Sequence, residues 1–263
     1  YNQVIGQVIT ANNFITNTIA GDMAIANSSG GSILFGIGST EALRIFTTTR
    51  NIAINSSGTD SGWKFDLISA DARINGIRVG KGNGSFSSNT AVGVDSLNSF
   101  SGTTFGSNTA IGFSALKSNT TGYQNTAIGT SAMFSTTTAN SNVAIGIIAM
   151  YNNTTGGACV AVGGRALYNS NANYNIGIGS DTLYSTTSGP NNTAIGSISG
   201  REITTGQSNT VIGYQAGRGI TTGSYNTIIG ANVTGLSATL ANNIIIADGQ
   251  GNQRINVISS GSV

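Results

Sequence analysis

Asn125-Thr126-Ala127-Ile128-Gly129 is followed 17 residues later by Asn142-Val143-Ala144-Ile145-Gly146, and the same phrase can be traced from Asn89 to Ala247. Upstream it reads Asn89-Thr90-Ala91-Val92-Gly93 and Asn108-Thr109-Ala110-Ile111-Gly112. Downstream it reads Cys159-Val160-Ala161-Val162-Gly163, Asn175-Ile176-Gly177-Ile178-Gly179, Asn192-Thr193-Ala194-Ile195-Gly196, Asn209-Thr210-Val211-Ile212-Gly213, Asn226-Thr227-Ile228-Ile229-Gly230 and Asn243-Ile244-Ile245-Ile246-Ala247. The ten first residues are spaced 19, 17, 17, 17, 16, 17, 17, 17 and 17 apart. A short fixed period marks a solenoid, because one repeat cannot bury its apolar face alone and must stack on the next.

The columns of this stack can be read separately. Three residues after each Asn stands a β-branched aliphatic, from Val92 and Ile111 through to Ile229 and Ile246. Such residues favour strands, and this column is expected to form the core. The residue before it is mostly Ala and the residue after it is Gly nine times. That small face permits close approach of another backbone, expected from the returning half of the coil or from another subunit. A second apolar column, eight residues after Asn, holds Leu97, Leu116, Met133, Met150, Leu167 and Leu183, then lapses to Gly200, Gly217 and Thr234. Over the same coils Ile203 and Ile220 enter and the Ala column swells to Val211, Ile228 and Ile245, which predicts a change of core shape toward the C-terminal end. The Asn column is expected to form a side-chain amide ladder and to take up turn backbone angles. Turns such as Thr120-Thr121-Gly122 and Thr221-Thr222-Gly223 fill the remainder.

Working outward, residues 1–88 lack the 17-residue register but alternate short apolar runs with Gly/Ser/Asn clusters, which predicts a small β module with a Gly-rich boundary over 80–88. Trp63, Phe65, Leu67 and Ile68 with Ile74, Ile77 and Val79 form its densest apolar patch. Arg44-Ile45 is echoed in Arg254-Ile255, so 248–263 is read as the start of a further β module in a polypeptide expected to continue past Val263. The expected fold is therefore all-β: a parallel β-roll or β-solenoid of about ten 17-residue coils over 89–247, between those two modules. A coil of this length has a perimeter of ~55 Å, enough for two short strands and two turns around a narrow interior. Such a roll hides too little apolar surface and leaves sticky open ends, so a cyclic homo-oligomer is expected.

Composition excludes several functions. Charged residues are 8% of the 263 and net charge is +2 with no basic stripe, so nucleic acid is not an expected partner. No apolar run reaches the ~20 residues of a membrane span, and no membrane insertion is expected. There is no His, which removes His-based acid–base catalysis and most zinc sites. The nine carboxylates are widely separated in sequence, and no enzyme activity, cofactor or metal is expected. Cys159, standing where other coils have Asn, is read as a structural thiol.

The Asn-Thr-Ala-Ile-Gly element with its following Ser/Ala-Leu step resembles the head repeat of trimeric autotransporter adhesins, a left-handed parallel β-roll trimer. With the Thr-Thr-Gly turns and the closing Asn243-Ile244-Ile245-Ile246 and Arg254-Ile255 passage, it is more similar still to repeats of bacteriophage tail fibre proteins. The resemblance covers about residues 40–263 and is strongest over 89–247. It implies a left-handed homotrimer, located in the virion or outside the cell, that acts as a structural fibre segment and adhesive surface toward a bacterial glycan or protein. An adhesin head on a bacterial surface is the alternative.

One column invites a recognition role. Nine residues after Asn stand Phe134, Tyr151, Tyr168 and Tyr184, followed by Arg201 and Arg218, a strip of rings and guanidiniums suited to sugar faces and acidic groups, or simply a packing ladder. A third class of function, ice binding, is prompted by Thr90, Thr109, Thr126, Thr193, Thr210 and Thr227. These alternate with the Ile column and are expected to point to the core side, which argues against it.

Overall fold

The computed structural model describes residues 71–258 apart from 84–87 and 103–104, together with the backbone of six strands ahead of Asp71. The chain divides into two compact units, Tyr1–Asp71 and Ala72–Val263. In the first, β1 (Asn13–Ile15) and β2 (Ile25–Asn27) pair antiparallel, and β3 (Ile33–Ile37), β4 (Thr40–Ile45), β5 (Ile52–Ile54) and β6 (Phe65–Leu67) form a second sheet in that order. Trp63 and Ile68 of the expected apolar patch lie outside the described residues.

The second unit is a single sheet of thirteen strands among the described residues. It opens with an antiparallel hairpin of β7 (Ala72–Ile74) and β8 (Ile77–Gly80), and β8 then pairs antiparallel with β9 (Thr90–Val92). The sheet thus begins ahead of the 80–88 stretch read as a boundary. Ile74, Ile77 and Val79 are exposed at 65%, 46% and 42%, so this part of the patch is not packed within the chain. From β9 onward nine further strands add in sequence order: β10 (Thr109–Ile111), β11 (Thr126–Ile128), β12 (Val143–Ile145), β13 (Val160–Val162), β14 (Ile176–Ile178), β15 (Thr193–Ile195), β16 (Thr210–Ile212), β17 (Thr227–Ile229) and β18 (Ile244–Ala247). All nine pairings are parallel and in register, as in Ala127 against Ala144. The expected parallel β-solenoid with its 17-residue coil is what the chain forms. A last antiparallel strand, β19 (Gln253–Val257), closes the far edge. Both ends of the parallel ladder are therefore covered by reversed strands, which blunts the open edges a stack would otherwise offer.

Arg44 and Arg254 both lie on the second strand of an antiparallel hairpin, and in each hairpin the register slips between the third and fourth residues of the first strand, Phe35/Gly36 and Ile246/Ala247. Their local likeness thus extends to backbone pairing.

Each coil contains one three-residue strand, not two; the rest of its perimeter is turns. The reason lies in the second apolar column, where Leu97, Leu116, Met133, Met150, Leu167 and Leu183 all have φ between 47° and 52°. That left-handed backbone cannot continue a strand and is least tolerant of β-branched side chains, so the column uses Leu and Met. All six are fully buried, and each such burial contributes about 1.5–3 kcal/mol.

The strand pleat is the reverse of the expectation. Ala91, Ala110, Ala127, Ala144, Ala161 and Ala194 are completely buried, whereas Ile111, Ile145, Ile178, Ile195, Ile229 and Ile246 are exposed at 37–39%. The interior facing the Leu/Met column is too narrow for a second large side chain, so Ala points in and Ile, with the Thr two residues before it, points out. The shift of apolar volume further along is as expected. Where the left-handed position is taken by Gly200 and Gly217, Val211, Ile228, Ile203 and Ile220 fill the space, all fully buried. A Cβ on Gly217 would stand 2.8 Å from Val211 Cγ1.

Within the chain the Gly column does not meet the returning half of its own coil. It meets the Gly of the next coil: a Cβ on Gly129, whose φ is +135°, would stand 2.5 Å from the Gly146 carbonyl oxygen. Glycine is required there by backbone stacking along the rod.

Candidate functional site

The buried Asn residues form the expected amide ladder. Asn125 donates its backbone N–H to Asn108 Oδ1 at 3.0 Å and its Nδ2 to Ala139 O at 2.8 Å, and Asn142 repeats the pattern on Asn125 Oδ1 and Gly156 O. Turn angles fall on the preceding residue instead, as at Gln124 and Ser141 (φ 56° and 59°), which frees the Asn carboxamide to point inward. Cys159 enters this ladder as a structural member. Its N–H donates to Asn142 Oδ1 at 2.9 Å, its Sγ contacts Ala172 O at 3.2 Å, and Asn175 N donates to it at 3.4 Å. Burial pushes its thiol pKa up, opposed only in part by the N–H groups of Asn175 and Tyr174.

The ring column assembles as a stack. Centroids are 5.1 Å apart for Phe134–Tyr151, 5.5 Å for Tyr151–Tyr168 and 4.9 Å for Tyr168–Tyr184, with planes within 7° of parallel. Arg201 lies over the last ring, 5.1 Å from the Tyr184 centroid. Lys117 lies 5.9 Å from the Phe134 centroid at the other end. Lys117 is legible in the sequence, since it too stands nine residues after its Asn, one coil ahead of the aromatic run. Arg218 leaves the stack for Glu202, with Nε and Nη2 donating to Oε1 at 3.0 and 2.8 Å. Partial burial raises the Glu202 pKa, and Arg218 with the Gly219 N–H more than offsets this, leaving it below the ordinary value. The ring faces are thus occupied by one another and by two cations. What the column offers outward is ring edges and tyrosine hydroxyls, not faces for sugar stacking.

Three other described carboxylates also serve ion pairs: Asp95 with Lys117, Asp181 with Arg165, and Asp248 with Arg254. No group of three metal-ligating side chains occurs among the described residues, and no helix there is long and apolar enough to cross a membrane.

The strand face itself is an unusual surface. The outward Ile column runs the length of the rod, and beside it, two residues further along, stand Val94, Phe113, Ile147 and Tyr214, exposed at 38%, 54%, 60% and 49%. Soluble monomers rarely expose contiguous apolar surface beyond a few hundred Å², and larger stretches mark contact with another body. Comparison with family models, with curated proteins and with solved structures gave no match.

Proposed function

We propose that this chain is a non-enzymatic structural segment of a homotrimeric fibre, of the phage tail fibre kind, acting as a rigid spacer and adhesive surface toward a bacterial host. The observation that carries the proposal is the outward Ile column. A β-branched row repeated on every coil, half-exposed and in register, is a surface that needs covering, and three copies around an axis along the rod would cover all three rows at once. A left-handed coil and a location in the virion or outside the cell go with the same reading, on the resemblance of the repeat. The test is sedimentation equilibrium of the full chain and of Ile145→Asp/Ile195→Asp. The expected outcome is three times the chain mass for the first and a folded monomer for the second; a monomeric parent protein would sink the proposal.

The outward pleat also favours a second reading. The Thr of each phrase shares the exposed side with Ile, so the ice-binding alternative no longer meets the objection that its threonines face the core. Val143, Val160 and Ile176 still interrupt that row. Thermal hysteresis from the chain, together with a monomeric mass, would select it over the fibre.

A further inference from the structure

The regular stack has one short coil. Between Cys159 and Asn175 the step is 16 residues, and the missing residue falls in the last turn: Ser170-Asn171-Ala172-Asn173-Tyr174 replaces a six-residue turn such as Asn153-Thr154-Thr155-Gly156-Gly157-Ala158. The deletion leaves a notch. An open groove of about 390 Å³ lies there, lined by Asn140, Ser141, Thr155, Gly157, Asn173 and Tyr174. Tyr174 stands 61% exposed on a left-handed backbone (φ 59°), in a column that is Ser at positions 107, 141 and 208. Tyr225 in the same column is also exposed on a left-handed backbone, but its hydroxyl accepts from Gln207 Nε2 at 2.7 Å, whereas Tyr174 borders the groove.

The lining chemistry is specific. Asn173 accepts from Gly157 N at 2.7 Å through Oδ1, which fixes the carboxamide and leaves Nδ2 as a donor into the groove. Ser141 and Thr155 add hydroxyls, Asn140 adds a second carboxamide, and Tyr174 adds a ring free of other rings among the described residues. The groove has no charged lining residue. Planar amides and hydroxyls beside one exposed aromatic face, without charge, match the alternating C–H and O–H surfaces of a neutral sugar. The volume is at the small end of ligand sites and suits one or two rings.

We infer that the notch at the short coil is a binding site for neutral saccharides, with Tyr174 as the stacking platform and Asn173 as the oriented donor. The inference rests on the adhesive reading for its biological sense, but its test is separate. Saturation-transfer NMR on the full chain, with galactose, mannose, N-acetylglucosamine and lactose each at ~10 mM, should give transfer from at least one, as expected of a site with a dissociation constant near ~1 mM. Tyr174→Ser, which installs the residue three other coils already use, should fold normally and lose the signal at least tenfold. Insertion of Thr after Asn171, which restores the 17-residue step, should abolish it. Tyr225→Ser, in the same column but away from the groove, should change nothing. Absence of transfer from all four sugars, binding confined to an anionic sugar such as glucuronate, or undiminished binding by Tyr174→Ser would overturn the inference. Sedimentation of the same samples reads the fibre proposal independently: a trimer without transfer overturns the notch alone, and a monomer that binds supports the notch while removing the fibre.

Discussion

Asn175 N donates to Cys159 Sγ at 3.4 Å, whereas the neighbouring rungs of the same ladder, Asn142 on Asn125 and Asn192 on Asn175, close on a carboxamide oxygen at 3.1 and 2.8 Å. One buried rung is therefore made with a weak acceptor. Cys159→Asn should strengthen it, raising stability by about 1 kcal/mol, the net worth of a good hydrogen bond, and a thermal melt of parent and variant checks this. Burial raises the thiol pKa above its ordinary 9.0. A raised pKa contributes stability that is complete below pH 9 and lost as pH climbs through the folded value, so the melting temperature of the parent should fall above pH 9 and that of Cys159→Asn should fall less. The native thiol should also resist alkylation until the chain is unfolded.

Gly129→Ala should be severely destabilising, by about 3 kcal/mol or more, because its methyl group would meet the backbone of the next coil in a region of φ that penalises side chains. Gly249→Ala, with nothing within 4 Å of the added carbon, should be close to neutral. Paired urea titrations distinguish the two.

Tyr168 is stacked on both sides, against Tyr151 and Tyr184. Tyr168→Ala should cost about 1–3 kcal/mol, two stacking contacts at ~0.5–1.5 kcal/mol each, and should weaken the near-ultraviolet circular dichroism of the ring column. Arg218→Ala should leave that signal intact, since its guanidinium is committed to Glu202 and lies outside the stack.

Asp248 organises the turn into the closing strand. Its Oδ2 accepts from Asn252 Nδ2 and Arg254 Nε, each at 3.1 Å, and its Oδ1 accepts from Gln250 N and Asn252 N at 2.9 and 3.0 Å. These bonds, the Asn252 side chain first, outweigh the opposing effect of desolvation and hold its pKa down to about 2, from 3.8. A lowered pKa contributes stability that is present above pH 3.8 and lost as pH falls through 2, so hydrogen exchange of the Arg254–Val257 amides should accelerate in that interval. Asp248→Ala should show fast exchange already at pH 6.

Much of this architecture is legible in the sequence. The period, the amide ladder, the Leu/Met column and the relocation of volume to Val211, Ile228 and Ile245 all follow from columns alone. Orientation does not. Period-two alternation places Ile145 and Ala144 on opposite faces but does not say which is inside, and hydrophobicity ranks Ile first. The outcome is settled by width: Met150 from across the coil already fills the interior, so only Ala fits opposite it. Nor does the sequence reveal the left-handed backbone at Leu97 or Met150, which removes the second strand, because these residues seldom adopt it. Of the two roles the ring column offers in the sequence, spacing favours the packing ladder over a display of faces: residues one coil apart stand at strand spacing, and at ~4.8 Å parallel rings cover each other. The one signal of the notch beside Tyr174 in the sequence is the single 16-residue step, which marks a shortened turn but not the groove it borders.

Consecutive strands bond only to their immediate predecessors and successors, so the hydrogen bonds of the stack point along its length. Tension applied end to end is then carried by every coil boundary in series, and rupture begins at the boundary that yields first. With a sulfur in place of a carboxamide and one residue fewer in its turn, the step from Cys159 to Asn175 should be that boundary: the place where a stretched stack would part, while the coils on either side kept their form.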